Sequence, residues 1–425
     1  SVHPSSLELS PGQTQTITVR ANTPSSAGDS AGSVDLSSSS GDNTSIPVVL
    51  RSMILPEDGG QFSGVLAGGN GRAPGEGQQQ YYEFKVRHGV HDIAANVFFQ
   101  NDANDRVAAY LVSPDGDVLG YGQNSLNQAD GTHGTPALSA WTRNPVPGTW
   151  TLIVDFAEPV VGDVISQPFH GTVRFNTVRV RASGVPASRH VKLAAGQPVT
   201  VPVTITNTGV APEAFFVDPR LDQATTTSLA PLSQSSGLSL PLTVSPAVWL
   251  VPTETSAVSV AQTSSLPAMF DTGPTQGDPD LASSHSGPGP LCSTTASVSY
   301  APPGGSVTAG EWFATPSECG PYPGPAPAGS ASLAMQARTL AFDQTVTSTT
   351  GDIWLASLDP STTFSPVVIQ PGHSAVVRVT ITPSGSSGTE ITGNLFVDDF
   401  TSAVPPFNQV GGDELAAIPY KYRIR

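Results

Sequence analysis

The chain has 425 residues, of which 42 are glycine and 40 proline, and only 12% are charged. Glycine and proline at that frequency interrupt helices and feed turns, which excludes a helical bundle or a coiled coil. Lys and Arg number 18 against 34 Asp and Glu, and the resulting net charge of −16 repels phosphate backbones and anionic lipid, so neither nucleic acid nor a membrane surface is an expected partner.

Taken in chain order, alternating or β-branched segments predict strands over 15–20, 44–50, 81–86, 92–99, 149–155, 172–180, 199–206, 375–381 and 415–422. Turn signals such as Pro114-Asp115-Gly116 and Pro147-Gly148 fall between them. This is the spacing of β-sandwiches rather than of βαβ units. No ten-residue window carries an apolar stripe of helical period free of Gly and Pro. The longest apolar runs, such as 46–50, fall far short of the ~20 residues of a spanning helix, so membrane insertion is not expected. The expected class is all-β, with several sandwiches of fibronectin type III-like and jelly-roll-like form.

An internal repeat organises the chain. Residues 4–51 and 366–425 each read as a short strand, a Pro-Gly turn (Pro11-Gly12 and Pro371-Gly372), an alternating strand, a small-residue loop, a Gly-led strand and a final strand opened by Ile-Pro. Both look like the closing half of one sandwich type. A matching opening half stands at 191–219, so the second copy is split, and an inserted module between its halves is the economical reading. The first copy has no opening half, and a half-sandwich leaves one apolar face to be covered by something else. A looser repeat joins 56–182 to 245–345 through Gly148-Thr149-Trp150 and Gly310-Glu311-Trp312. The expected domains are therefore 1–55, a closing half-sandwich; 56–182, a jelly roll; 183–244 with 346–425, a discontinuous sandwich; and 245–345, an inserted jelly roll.

Residues able to carry chemistry are few. Cys292 and Cys319, the two cysteines, lie in Gly/Pro-rich text without a CxxC spacing or a nearby His; a structural disulfide is the expected reading, and it implies an oxidising, extracellular compartment. Asp102, Asp105, Asp115 and Asp117 come from two loops expected to meet at one end of a jelly roll, where hard Ca²⁺ finds oxygen ligands. The plainer reading of the same residues is solvated Asx turns. His88 and His91, three apart, would point to opposite faces of a strand, a poor start for zinc. Trp141, Trp150, Trp249, Trp312 and Trp354 are either core residues or a surface for a polymer, with core packing the default.

The stretch from Ser10-Pro11-Gly12 through Ile46-Pro47 resembles the end of the fibronectin type III-like domain that follows the catalytic domain in large secreted subtilisin-like serine peptidases. Gly277 to Asp280 ("GDPD") and the segments "SPDGDVLG" and "VPGTWTLIV" look like the bacterial pre-peptidase C-terminal and P-type jelly rolls that accompany such enzymes, and the Lys-poor style is similar to actinobacterial secreted proteins. The resemblance implies a non-catalytic C-terminal portion of an exported peptidase, secreted or at the cell surface. Its role would be a stabilising and substrate-positioning scaffold, with the N-terminal catalytic fragment or a neighbouring subunit as partner and a protein or polymer as substrate. A cell-surface adhesin or polymer-binding protein, and a subunit of an extracellular assembly, use similar modules and stay open. The Gly-Thr-Ser-Met-Ala nucleophile motif is missing, and the fragments His170-Gly171-Thr172, Asp271-Thr272-Gly273 and Asp130 to Thr135 stand in the wrong order for a subtilisin-like triad. Catalysis is accordingly expected of an upstream serine endopeptidase and not of this chain, and no cofactor beyond calcium is implied.

Overall fold

Strand-forming sequence dominates the computed structural model of the chain, which describes residues 1–68, 77–124, 134–158, 164–232, 237–240, 247–274, 282–283, 293–302, 307–318, 329–359, 361–400 and 411–425. The fold is all-β, built from sandwich-like units. Residues 1–52 hold β1 (Val2–His3), β2 (Thr18–Val19), β3 (Gly28–Ser37) and β4 (Asn43–Ser52). Among the described residues β1 pairs only with β2, and β3 with β4 forms a ten-pair antiparallel hairpin. The strand expected over 15–20 is thus reduced to two residues. A ladder needs a neighbour, and β2 has one on a single edge.

The next unit alternates cleanly, and its strands are β5 (Gln61–Ala67), β6 (Gln79–Val86), β7 (Asp92–Phe99), β8 (Arg106–Val112), β9 (Val118–Gln123), β10 (Ala137–Arg143), β11 (Gly148–Glu158) and β12 (Ser166–Phe175). They make two four-stranded sheets of order β10-β7-β12-β5 and β6-β11-β8-β9. Period-two patterning turns Phe84, Leu111, Trp150, Leu152 and Phe169 into the gap between the sheets, where they form one buried cluster. Burying each large apolar side chain contributes roughly 1.5–3 kcal/mol. The Trp150 indole N–H donates to the Val146 carbonyl at 2.8 Å, which lets a polar tip sit in that core.

The predicted strand 172–180 is broken. Asn176 takes a left-handed φ of 55°, and the chain leaves β12 there to start β13 (Val178–Ala182) in a different sheet. β14 (Ala187–Leu193), β15 (Val199–Asn207), β16 (Glu213–Leu229), β17 (Gly237–Leu240), β18 (Ala247–Val251), β19 (Thr255–Pro274), β20 (Ala282–Ser283), β21 (Ser293–Tyr300), β22 (Gly310–Glu318), β23 (Gly329–Phe342) and β24 (Val346–Ser348) follow. A four-residue helix α1 (Ile353–Ala356), capped by Asp352 through the N–H groups of Trp354 and Leu355, precedes β25 (Val367–Ile369), β26 (Ser374–Ile381), β27 (Glu390–Asp399) and β28 (Glu414–Ile424).

The sheet β13-β15-β26-β24 faces the β14-β28-β27-β16 end of a larger sheet, and Val203, Ile205, Val379, Leu395 and Tyr422 close the core between them. That larger sheet does not stop at the sandwich. β16 pairs with β27 through Phe215 to Leu221 and then, after a register shift past Arg220, with β23 through Ala224 to Leu229. From β23 the sheet runs on through β19, β22 and β18. One strand of 17 residues therefore carries the sheet from the sandwich into the inserted segment, where Trp249, Phe270, Trp312 and Met335 make a third core. The Trp312 indole donates to the Thr308 carbonyl at 2.8 Å, four residues back, as Trp150 does to Val146. Gly148 and Gly310 open both tryptophan strands at positive φ.

Candidate functional site at the module junction

The jelly roll, the sandwich and the inserted segment meet around Arg143, the last residue of β10. Its guanidinium bonds Glu254, in the turn before β19, and Glu414, the first residue of β28. All three side chains are largely shielded from solvent, where charge-assisted hydrogen bonds are stronger than at a wet surface. The non-glycine residues with positive φ among those described are Asn144, Asn176 and Glu254, and all three border this junction. Asn tolerates that conformation because its short side chain bonds locally; for Glu254 the cost is real and is offset by the ion pair.

A cleft of about 580 Å³ opens beside the clamp, lined by His91, Asp92, Arg143, Asn176, Arg179 and Glu414 among others. Asn176 Oδ1 accepts the His91 N–H at 2.8 Å, and the Asn144 N–H donates to the His91 carbonyl at 2.7 Å, so three loops are tied at the cleft wall. Asp92 is buried, its Oδ1 accepting both the N–H and the hydroxyl of Thr177 at 3.1 Å. Burial pushes its carboxyl up to about 6, against those hydrogen bonds and the nearby His91. Asp399 is pushed up to about 7, again chiefly by burial, although its Oδ1 accepts the Asp413 N–H at 2.9 Å. Glu213 and Asp413 are raised by burial and then by the charge of Asp399. Four carboxyl groups thus sit close enough to feel one another, and each holds its proton into a range where an exposed carboxylate has lost it.

A second polar group lies within the sheet where β16 changes partner. Arg220 is fully buried, its Nε donating to Asp218 Oδ1 at 2.6 Å and its Nη1 to Thr339 Oγ1 at 3.0 Å and the Leu340 carbonyl at 2.9 Å, with the guanidinium 3.6 Å from the Phe342 ring centre. Asp398 Oδ2 accepts the Thr253 hydroxyl and the Trp354 indole N–H, both at 2.8 Å. Asp352 and Asp398 are pushed well above the usual carboxylate range, first by burial and then by the charge of Asp218; Asp352 also shares a hydrogen bond with Asp218.

The calcium candidates are not brought together. Asp102 and Asp105 precede β8 and Asp115 and Asp117 follow it, so a seven-residue strand, roughly 23 Å long, stands between the two pairs. Asp102 Oδ1 accepts the Asn104 N–H at 2.9 Å, and the buried Asp105 accepts from Gln167 Nε2 at 3.2 Å. The loops expected to share one end of the module lie at opposite ends of one strand, and no group of three or more His, Cys, Asp or Glu is arranged to hold a metal among the described residues. Cys292, Cys319, Asp278, Asp280 and the segment 130–133 lie outside the described residues.

Comparison with known protein families finds no match for this sequence. Curated proteins give none either. Among solved structures, the crystal structure of the infectious bursal disease virus VP2 subviral particle is similar over 92% of this chain and 80% of that chain, at 11% identity and a TM-score of 0.14. A superposition that loose carries no argument about fold or function.

Four of the five tryptophans are buried core residues, and Trp141 is half-buried against the sandwich core, so they present no exposed aromatic platform. His170 lies on β12, stacked on Phe98 with 5.3 Å between ring centres and within 3.3 Å of Gln100 Nε2. His88 and His91 fall in the turn between β6 and β7 rather than on a strand. Sequence reading passed over Arg143 and the acids of β16 and β27. The signal present was an acid inside an apolar strand, in Phe215-Phe216-Val217-Asp218 and Leu395-Phe396-Val397-Asp398-Asp399.

Proposed function

We propose that the chain is a non-catalytic β-scaffold, the C-terminal accessory portion of an exported subtilisin-like serine peptidase, which stabilises the catalytic part and positions its substrate. The observation that carries this reading is the Arg143 clamp. One partly buried guanidinium bonds acids from two other units, and a sheet that runs unbroken from the sandwich into the inserted segment reinforces it. Such a framework suits holding surfaces at fixed separation. His170, the histidine of one of the triad-like fragments, is engaged in packing, stacked on Phe98. A subunit of an extracellular assembly is the second reading, and the exposed apolar residues of the β1–β4 layer favour it.

Arg143→Ala is expected to lower stability by about 2 kcal/mol, because Glu254 and Glu414 lose a charge-assisted partner, and to raise the radius of gyration measured by small-angle scattering as the units swing apart. Unchanged scattering from a variant of reduced stability would remove the clamp as the basis of rigidity. The chain is further expected to take no label from a fluorophosphonate. Stoichiometric labelling of one serine would overturn the non-catalytic reading.

A further inference from the structure

The two closing halves can be compared strand by strand. With Gly32 set on Gly393 and Ile46-Pro47 on Ile418-Pro419, the hairpins share a register: Val34 opposes Ile46 as Leu395 opposes Ile418, and Gly32 opposes Val48 as Gly393 opposes Tyr420. The Pro-Gly turns agree as well, Gly12 at φ 81° and Gly372 at φ 75°. Counting on from them, Val19 pairs with Val2 where Val379 pairs with Ser348. β1, β2, β3 and β4 therefore stand where β24, β26, β27 and β28 stand in the second copy.

What differs is the neighbourhood. In the second copy β15 takes the other edge of β26, and the leading half of β16 takes the free edge of β27 and also pairs with β25. In the first copy β2 has only β1 and β3 has only β4 as strand partners among the described residues. The exposures follow: Val19 is 43% exposed against 0% for its counterpart Val379, Leu36 39% against 0% for Val397, and Leu9 50% against 3% for Ile369. None of the buried hydrophobic clusters is built on residues 1–52; Ala27 alone packs on one, from the side of the jelly roll.

We propose that the open side of the β1–β4 layer docks one occupant, a pair of antiparallel strands of the opening-half type carried outside residues 1–425, doing there what β15 and the leading half of β16 do in the second copy. The second copy supplies the chemistry of the occupant. Its first strand carries β-branched residues at every second position, as Val201, Val203 and Ile205 do, and the positions of Val203 and Val201 fall opposite Ile17 and Val19. Its second strand runs along β3 and brings large apolar residues, as Phe215 and Val217 do, over Leu36 and Leu9. Another copy of this chain does not fit. Its own β15 and β16 are already paired on both edges, and its own β1–β4 layer lacks the same two strands.

The test titrates a fluorescein-labelled peptide with the sequence of residues 197–221 into the full chain. The expected result is a saturable rise in anisotropy at one peptide per chain, with hydrogen-exchange protection gained over 7–20, 28–37 and 43–52. Val19→Asp, at an exposed position, should weaken binding at least about tenfold, whereas Val376→Asp, exposed on the outside of β26, should leave it unchanged. Should the peptide be too insoluble to titrate, the same residues fused ahead of Ser1 through a Gly/Ser linker should raise the melting temperature of the chain and lose that gain with Val19→Asp. Absence of saturation, protection elsewhere, an indifferent Val19→Asp, no gain from the fusion, or a dimer of the chain that protects 43–52 without peptide would overturn the proposal. Failure here leaves the Arg143 clamp untouched, and loss of the clamp leaves the open layer as it is, so the two readings fail separately.

Discussion

Replacing Arg220 by Met should destabilise the chain by roughly 3–5 kcal/mol, the cost of removing one partner from a buried ion pair. The guanidinium is the cation among the buried groups here; it faces Asp218 directly, with Asp352 and Asp398 close behind. Methionine fills much of the volume and can keep an aromatic contact with Phe342, but it donates nothing to Asp218, Thr339 or the Leu340 carbonyl. Three carboxyl groups are then left within one dry region, and at least one must be carried charged and unpaired or take up a further proton. Asp352→Asn is the control. Asp352 already holds its proton above the usual range because of burial and Asp218, so an amide keeps the shape and a donor toward Asp218, and a change below about 1 kcal/mol is expected. Urea denaturation at pH 7 measures both. Equal losses from the two variants would mean that the group is held by packing alone and that Arg220 does not neutralise it.

The contrast between Arg220 and the strands around it shows what a sequence displays and what it withholds. Period-two patterning in Val199 to Asn207 and Ser374 to Ile381 is a local property, so those strands and their buried faces are legible without any partner in view. The hairpin registers are legible too, because a one-residue slip would flip every apolar side chain. Gly393 and the Ile-Pro step mark the same places in both copies. By contrast, Arg143 and Glu254 are 111 residues apart, and nothing local to either names the other. The placement of the four aspartates Asp102, Asp105, Asp115 and Asp117 is withheld for a related reason. Loops before and after one strand are near in sequence, but a strand of seven residues separates them in space, and spacing along the chain does not display that separation. The two-residue β2 is the converse case: Gln15 to Arg20 has the pattern of a strand, but pattern alone does not make a ladder where β1 is the one strand partner among the described residues.

Stability should fall as pH rises from about 4 to about 7. Asp92 and Asp399 lose their protons near 3.8 in the unfolded chain and near 6 and 7 in the folded one, so across that window the folded state binds more protons than the unfolded state. The slope of unfolding free energy against pH is then negative. Glu213, Asp413, Asp352 and Asp398 are shifted in the same direction and add to it. Asp29 and Glu390, held below their usual values by Arg51 and Lys421, act in the opposite sense, but both are surface groups and their contribution is lost only as pH falls below about 4. For Asp92 the effect between the two ends of its window is on the order of 3 kcal/mol. Denaturation midpoints taken at pH 4.5 and pH 7.5 should therefore be higher at the acid end. Asp92→Asn should flatten part of that dependence, since the amide keeps an oxygen for Thr177 and cannot ionise, and it should leave stability at pH 4.5 nearly as it was. A midpoint that rises with pH, or a dependence that Asp92→Asn does not alter, would show that Asp92 is ionised in the native junction. The clamp side of the junction would then have to supply the compensating charge through Arg143, which already serves Glu254 and Glu414.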